Sequence, residues 1–286
     1  TECDSGTCYG TFSAIIDGIQ WATANNADIV SMSLGGGGYS PDYIDPIQNA
    51  RQAGTLTIAS SGNDGAGTSG SPGNVYESVA VGATTSDDNV ASYSSGEIIN
   101  TSADWGTSAP SSWPATYPVP DIAAPGSGVG SSVPGGGYGF KSGTSMAAPH
   151  VSGVAALIIS NSETSQTPNG IENSLETTTV DLNVDPNRQG NGRLDAFAAV
   201  DTVATTSPNF TVEITKIPDS VLEGEQIVVE YQVKNTGEET GSQTIDFTVD
   251  GASKSSEEIT LEGGEVSTKT FAYPTTGEDV GTREIA

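Results

Sequence analysis

The segment Gly143-Thr144-Ser145-Met146-Ala147-Ala148-Pro149-His150 sets a serine just after a flexible glycine and at the mouth of a strongly apolar run, 147–160. Such a run reads as a helix. A helix N-terminus presents amides with no intrahelical acceptor and the positive end of the dipole. Both suit a serine whose attack on a carbonyl creates an oxyanion, which is the chemistry of acyl transfer. A serine that merely caps a helix fits the same place, and the spacing alone does not choose between them. A nucleophilic serine also needs a base. The one histidine is His150, five residues on. At 3.6 residues per turn the two side chains lie about 140° apart around the helix, so His150 points away from the Ser145 hydroxyl.

The elements that must hold this serine are legible from periodicity. Phe12, Ile15, Ile16 and Ile19 follow the i, i+3, i+4, i+7 spacing of an amphipathic helix that ends near Asn25-Asn26. Residues 29–34 form a short apolar run closed by glycines, a buried strand. Ile44, Ile47 and Ala50 mark a second helix closed by Gly54, and 55–59, 78–83 and 121–124 read as further strands. Thr167-Pro168 caps a helix to about Glu176, and 195–203 is a last helix. Strands alternating with helices imply parallel pairing and an α/β layer fold. Residues 96–120, with four prolines and two tryptophans, read as a long surface insertion.

Beyond Ser207-Pro208 the period becomes two. Phe210, Val212 and Ile214 alternate, then Ile227, Val229, Tyr231 and Val233, then Ile245, Phe247 and Val249, with turns at Asn235-Thr236-Gly237 and Asp250-Gly251. This predicts a β-sandwich. The expected division is 1–207 for the α/β part and 208–286 for the sandwich.

The chain has 286 residues, 36 acidic and 9 basic, for a formal charge of −27. No stretch approaches the ~20 apolar residues of a membrane span. The charge argues against nucleic acid and anionic membrane surfaces as partners. One His and two Cys exclude a Cys/His zinc site, and no metal site is expected. Residues 1–208 hold 20 acids and 4 bases, and 209–286 hold 16 and 5, so the acidity is not a tail. Carboxylate-rich, lysine-poor surfaces stay soluble in molar salt, where charges are screened beyond ~3 Å. We read a salt-loving origin; the alternative is an ordinary acidic secreted protein.

The serine motif, Gly-Thr-Ser-Met-Ala-Ala-Pro-His-Val, resembles the nucleophile motif of the subtilisin-like serine proteases, the subtilases. Three further segments match in the family's order: Ser31-Met32-Ser33-Leu34-Gly35-Gly36, Ala59-Ser60-Ser61-Gly62-Asn63-Asp64-Gly65 and Asp121-Ile122-Ala123-Ala124-Pro125-Gly126. The resemblance covers residues 1 to about 205. It implies an α/β fold, a parallel-sheet three-layer subtilisin-like domain that is incomplete here, followed by a small β-sandwich. It implies Ser145 as nucleophile, with the Asn63 amide and the Ser145 N–H as oxyanion donors. Ser33, Leu34 and Gly35 would pair with an extended substrate, and Ser61, Gly62 and Gly70 would wall the pocket for the side chain before the scissile bond. A plain core strand at 33–35 and a turn role for Asn63 are the bland alternatives. The family's motif histidine is structural, which assigns His150 that role. No cofactor is implied for the chemistry, and structural calcium is common in the family.

The triad's base and its orienting Asp are missing. Asp4-Ser5-Gly6 has the form of the family's Asp triplet. Only Thr1-Glu2-Cys3 precede it, however, and no His-Gly-Thr-His follows. Residues 4–21 instead resemble the segment after the family's His motif. The expectation is a chain that begins downstream of both residues and, alone, is inactive. No signal peptide is visible and residues 281–286 stop within what reads as a strand, so a piece cut at both ends is expected.

Four further patterns remain. Asp181, Asn183, Asp185 and Asn187 alternate like calcium ligands, but Pro186 and Gly192 stand where such a loop wants Gly and Glu. A solvated polar loop is the expectation. Cys3 and Cys8 are either disulfide-bonded or two thiols. Asn100 and Asn209 fit the glycosylation sequon, a weak pattern. Residues 209–286 resemble the CARDB-type Ig-like modules of secreted proteins, either surface- or polymer-binding or a solubilising spacer.

The sequence therefore reads as a secreted, halophilic, monomeric serine endopeptidase acting on polypeptides, resembling the halolysins. The competing readings are a non-catalytic pseudoprotease that holds peptides and a surface-adhesion protein.

Overall fold

The computed structural model describes residues 2–4, 7–162, 165–203, 208–237 and 239–276, with side chains from Gly10 onward. Ser5 and Gly6 of the Asp4-Ser5-Gly6 triplet, the side chains of Asp4, Cys3 and Cys8, the junction at 204–207 and the strand expected at 281–286 lie outside these. The chain divides into two compact units, Thr1–Ala204 and Thr205–Ala286.

In the first unit, α1 (Phe12–Ala24) is capped by Thr11, whose hydroxyl accepts the Ala14 N–H. It stops at Asn25-Asn26, where Asn26 takes φ 57°. Strand β1 (Ile29–Met32), helix α2 (Ile44–Gln52), and strands β2 (Leu56–Ser60), β3 (Val79–Thr84) and β4 (Ile122–Pro125) follow. The four strands pair in parallel in the order β4-β3-β2-β1.

Alternation along the strands sends residues to two cores. Leu56, Ile58, Val79, Val81 and Ala83 pack against α3 (Thr144–Asn161) and α4 (Pro168–Thr177). Ala59 and Ala80 face the other way, towards Ile19 of α1, Tyr43, and Ile47 and Ala50 of α2. The result is the expected three-layer α/β arrangement.

Residues 96–120 depart from a surface insertion. Glu97–Asn100 and Thr116–Val119 pair antiparallel around a π-helical turn, Thr101–Trp105, capped by Asn100. Trp105, Trp113 and Tyr117 are buried in the second core, with the two indoles edge-to-face at 5.3 Å. Their polar edges are satisfied. Trp105 Nε1 donates to the Tyr117 hydroxyl at 2.9 Å, Tyr117 donates to the Asn74 carbonyl at 2.9 Å, and Trp113 Nε1 donates to Glu77 at 2.7 Å. Lack of periodicity reflected irregular backbone, whereas the aromatic residues are core.

A hairpin absent from the sequence reading, Val129–Ser132 with Tyr138–Lys141, lies between β4 and α3. Gly135, Gly136 and Gly137 turn it at φ 87–91°.

The second unit has a three-stranded sheet, Phe210–Lys216, Gln226–Asn235 and Val266–Pro274, and a two-stranded one, Gly241–Val249 with Ala252–Leu261. Tyr231 and Val233 of the first meet Ile245, Phe247, Ile259 and Leu261 of the second, as in a small β-sandwich. Asp250 and Gly251, both at positive φ, form the tight turn the sequence marks. Asn235 is fully buried. Its Oδ1 accepts from the Asn209 and Gly237 N–H groups, and its Nδ2 donates to the Glu239 and Leu261 carbonyls.

Candidate active site

Ser145 sits in the first turn of α3, half-buried, where backbone amides lack intrahelical acceptors. The neighbouring amides are engaged. Thr144 N–H donates to Asn63 Oδ1 at 2.9 Å, and Met146 N–H to the Gly143 carbonyl at 3.0 Å. Thr144 is buried, and its hydroxyl bridges the Gly62 carbonyl and Asn63 Oδ1, each at 3.1 Å. Two donors therefore end on the oxygen of the Asn63 amide. They fix its orientation and leave Nδ2 as the outward donor, beside Gly143 and the start of the serine turn.

Pro149 lies inside α3 and has no N–H to give to the carbonyl four residues back, which is that of Ser145. Ser33 fills the place: its hydroxyl donates to the Ser145 carbonyl at 2.7 Å. The Ser33 side chain thus supports the turn that carries Ser145, a role apart from the substrate pairing expected of 33–35. Proline four residues after a helix-opening serine is the signal that finds this bond.

Leu34 and Gly35 continue from Ser33 as an exposed extended segment. Gly36–Gly37 pairs antiparallel with Gly70–Ser71. The glycines are required by close approach: a Cβ on Gly35 would stand 2.9 Å from the Ser71 carbonyl oxygen, and one on Gly70 2.8 Å from that of Gly36. Gly70 N–H donates to the Ser61 carbonyl at 3.1 Å. Gly62 takes φ 116° and receives Ser95 N–H on its carbonyl at 3.0 Å. Ser61, Gly62 and Gly70 are therefore on adjoining segments, joined through 36–37 to the Ser33–Gly35 segment. On the α1 side of that segment lies a cavity of about 660 Å³, lined by Phe12, Ile15, Met32, Leu34 and Tyr43 among others, which contains neither Ser145 nor Asn63.

His150 is apart from this constellation. Its Nδ1 bonds the Met146 carbonyl of its own helix at 2.9 Å, and the ring lines a different cleft with Pro125, Val154 and Leu194. A carbonyl only accepts, so Nδ1 carries the proton.

Asp121, at the foot of β4, accepts the Ala80 N–H at 2.7 Å. Burial, with Glu176 nearby, pushes its carboxyl well above the usual range. Burial and the neighbouring Glu172 likewise push Glu176 up to about 7, against the pull of Arg51.

The 181–187 loop is closed on itself. Asp181 Oδ1 accepts from Gln189 Nε2 and the Asn183 N–H, each at 2.8 Å, and these bonds hold its carboxyl below the usual range. Among the described residues no group of three or more His, Cys, Asp or Glu could hold a metal ion.

A parallel α/β sheet thus presents a serine that opens a helix beside an oriented amide, the kind of donor that oxyanion stabilisation uses. The model of the subtilase family matches residues 3–192, and that of CARDB residues 207–285. The chain is 38% identical over 190 residues to alkaline elastase YaB of Bacillus sp. (strain YaB), covering 66% of this chain and 44% of the elastase. It is 38% identical to subtilisin E of Bacillus subtilis over 163 residues, 55% of this chain and 37% of that protein. Among solved structures, a protease of Pseudoalteromonas arctica superposes with a TM-score of 0.57 at 34% identity, covering 70% of this chain and 61% of that one. The chain belongs to the subtilase family. It spans under half the length of both the elastase and subtilisin E. Among the described residues no helix is long and apolar enough to cross a membrane.

Proposed function

We propose that this chain carries the nucleophile and oxyanion half of a secreted, salt-adapted serine endopeptidase. Ser145 Oγ attacks the scissile carbonyl of an extended polypeptide to form an acyl-enzyme, and the Asn63 Nδ2 and Ser145 N–H groups take the oxyanion. Ser33–Gly35 pairs with the substrate backbone, and Ser61, Gly62 and Gly70 receive the side chain before the bond. The observation that carries this reading is the pair of Thr144 bonds on Asn63 Oδ1, which turns the amide donor outward next to the serine.

The base is another matter. The sequence has one histidine, and it is bound to its own helix. By itself the chain should show only a small residual acceleration over water. That same observation favours a second reading, a peptide-binding protein that keeps the cleft without cutting.

Chemical rescue tests the proposal. The chain is given a p-nitrophenyl ester of a blocked amino acid and increasing imidazole. Imidazole would take the Ser145 Oγ proton as the hydroxyl attacks and p-nitrophenolate leaves, and water would then hydrolyse the acyl group. The expected result is an imidazole-dependent rate above that of Ser145→Ala. Equal rates in the two proteins would overturn catalysis and leave the binding reading.

A further inference from the structure

Residues 1–208 contain 20 acidic side chains and only four basic ones, Arg51, Lys141, Arg188 and Arg193. The three arginines are engaged internally. Arg51 pairs with Glu172 and donates to Asn169 and to the Glu77 carbonyl. Arg188 donates to the Ser94 and Ala91 carbonyls, and Arg193 pairs with Asp88 at 2.9 Å. Among the described residues of this unit, Lys141 is the one cation without a protein partner, and it is exposed.

Its place is not arbitrary. Lys141 ends the hairpin that leads into α3, four residues before Ser145, a span of at most about 14 Å of chain. The hairpin base is pinned there. Gly128 N–H donates to Ser142 Oγ at 2.9 Å and Gly143 N–H to the Gly126 carbonyl at 2.8 Å. Along the sheet order β4-β3-β2-β1, Ser33–Gly35 follows β1 at one edge and the hairpin follows β4 at the other. On the reading above, with the acyl part on Ser33–Gly35, the part after the scissile bond runs on the hairpin side of Ser145.

We propose that Lys141 is a specificity-determining residue, favouring substrates with an Asp or Glu within the first few residues after the scissile bond. In so acidic a unit, carboxylates elsewhere on the substrate are repelled, and the ammonium marks where one is welcome. This rests on the protease-like cleft proposed above.

Binding of fluorescein-labelled extended peptides to the full chain, read by anisotropy in low salt, tests it. One peptide carries Glu on the leaving-group side, a second Gln there, and a third Glu on the acyl side. The expected result is about two- to five-fold tighter binding of the first than of the second, the range of an exposed ion pair. The preference should vanish in Lys141→Met, reverse in Lys141→Glu and fade in molar salt. The acyl-side Glu should gain nothing. Neutral peptides that bind with the Glu-to-Gln ratio unchanged between wild type and Lys141→Met would overturn the inference alone. Failure of every peptide to bind would overturn the cleft reading with it.

Discussion

The Ser33 hydroxyl stands in for an amide hydrogen that Pro149 does not have. Its 2.7 Å bond to the Ser145 carbonyl closes the first turn of the helix across two segments 112 residues apart in sequence. Removing it exposes the cost of proline inside a helix. Ser33→Ala is expected to lower stability by about 0.5–1 kcal/mol, the lower range for a hydrogen bond whose partners are open to water. The imidazole-rescued ester rate should fall as well, and Ser33→Thr should restore both. Thermal unfolding and the rescue assay on the three proteins check this; an alanine variant as stable and as fast as wild type would break the link.

Thr144 governs the amide of Asn63 in a similar way. Thr144→Val keeps the backbone bond to Asn63 but removes the hydroxyl that serves both Asn63 and the Gly62 carbonyl. A loss of about 1–2 kcal/mol is expected on unfolding in urea. Asn63→Ala removes the acceptor of both Thr144 donors and should cost about as much, and in addition lower the rescued rate by about 10²–10³, the cost of one oxyanion donor in subtilisin, a relative of this chain.

A methyl group on Gly70 has nowhere to go. It would stand 2.8 Å from a backbone oxygen of Gly36, so Gly70→Ala must part the bridge between Gly36–Gly37 and Gly70–Ser71. A melting temperature lowered by several degrees, corresponding to about 1–3 kcal/mol, is expected together with weaker peptide binding.

Glu176 supplies a pH dependence. Its carboxyl titrates near 7 when folded, against 4.5 as an unperturbed group. Between those values the folded chain holds the proton more tightly than the unfolded chain. Unfolding there releases a proton, so stability declines as pH rises through this window and levels off above it. The decline from this one group is about 1–3 kcal/mol, part of the full shift being lost to solvent screening. Glu176→Gln should be more stable than wild type at pH 8 and no more stable at pH 4.5. Asp121, raised for the same reason, leaves a residual slope. Thermal scans at the two pH values decide, and equal differences at both would count against it.

Much of this architecture was legible because burial imposes a period. The spacing of Phe12, Ile15, Ile16 and Ile19 gave the first helix, and Thr167-Pro168 its own helix start, with the Thr167 hydroxyl accepting the Gly170 N–H as a cap should. What escaped was fixed by partners distant in sequence. Trp105 and Trp113 look like loop residues until the Tyr117 hydroxyl and the Glu77 carboxylate that satisfy their indoles are in place. The hairpin before Ser145 has almost no apolar alternation, since Tyr138 and Phe140 are exposed. Its strands are held by each other, so no core-facing pattern marks them. At the site, motif resemblance picked out Ser145 and Asn63, but the bonds that orient them come from Thr144 and Ser33, whose roles depend on contacts that spacing does not encode.

Committing every arginine of the first unit internally has a consequence for how the molecule meets other enzymes. A trypsin-like protease cuts after accessible lysine or arginine, and among the described residues of this unit it would find one unencumbered address, Lys141. A nick there would separate the hairpin from the serine turn while leaving the sheet intact. Limited digestion of the folded chain should therefore open this unit first at a single bond, yielding two pieces that stay together until denatured.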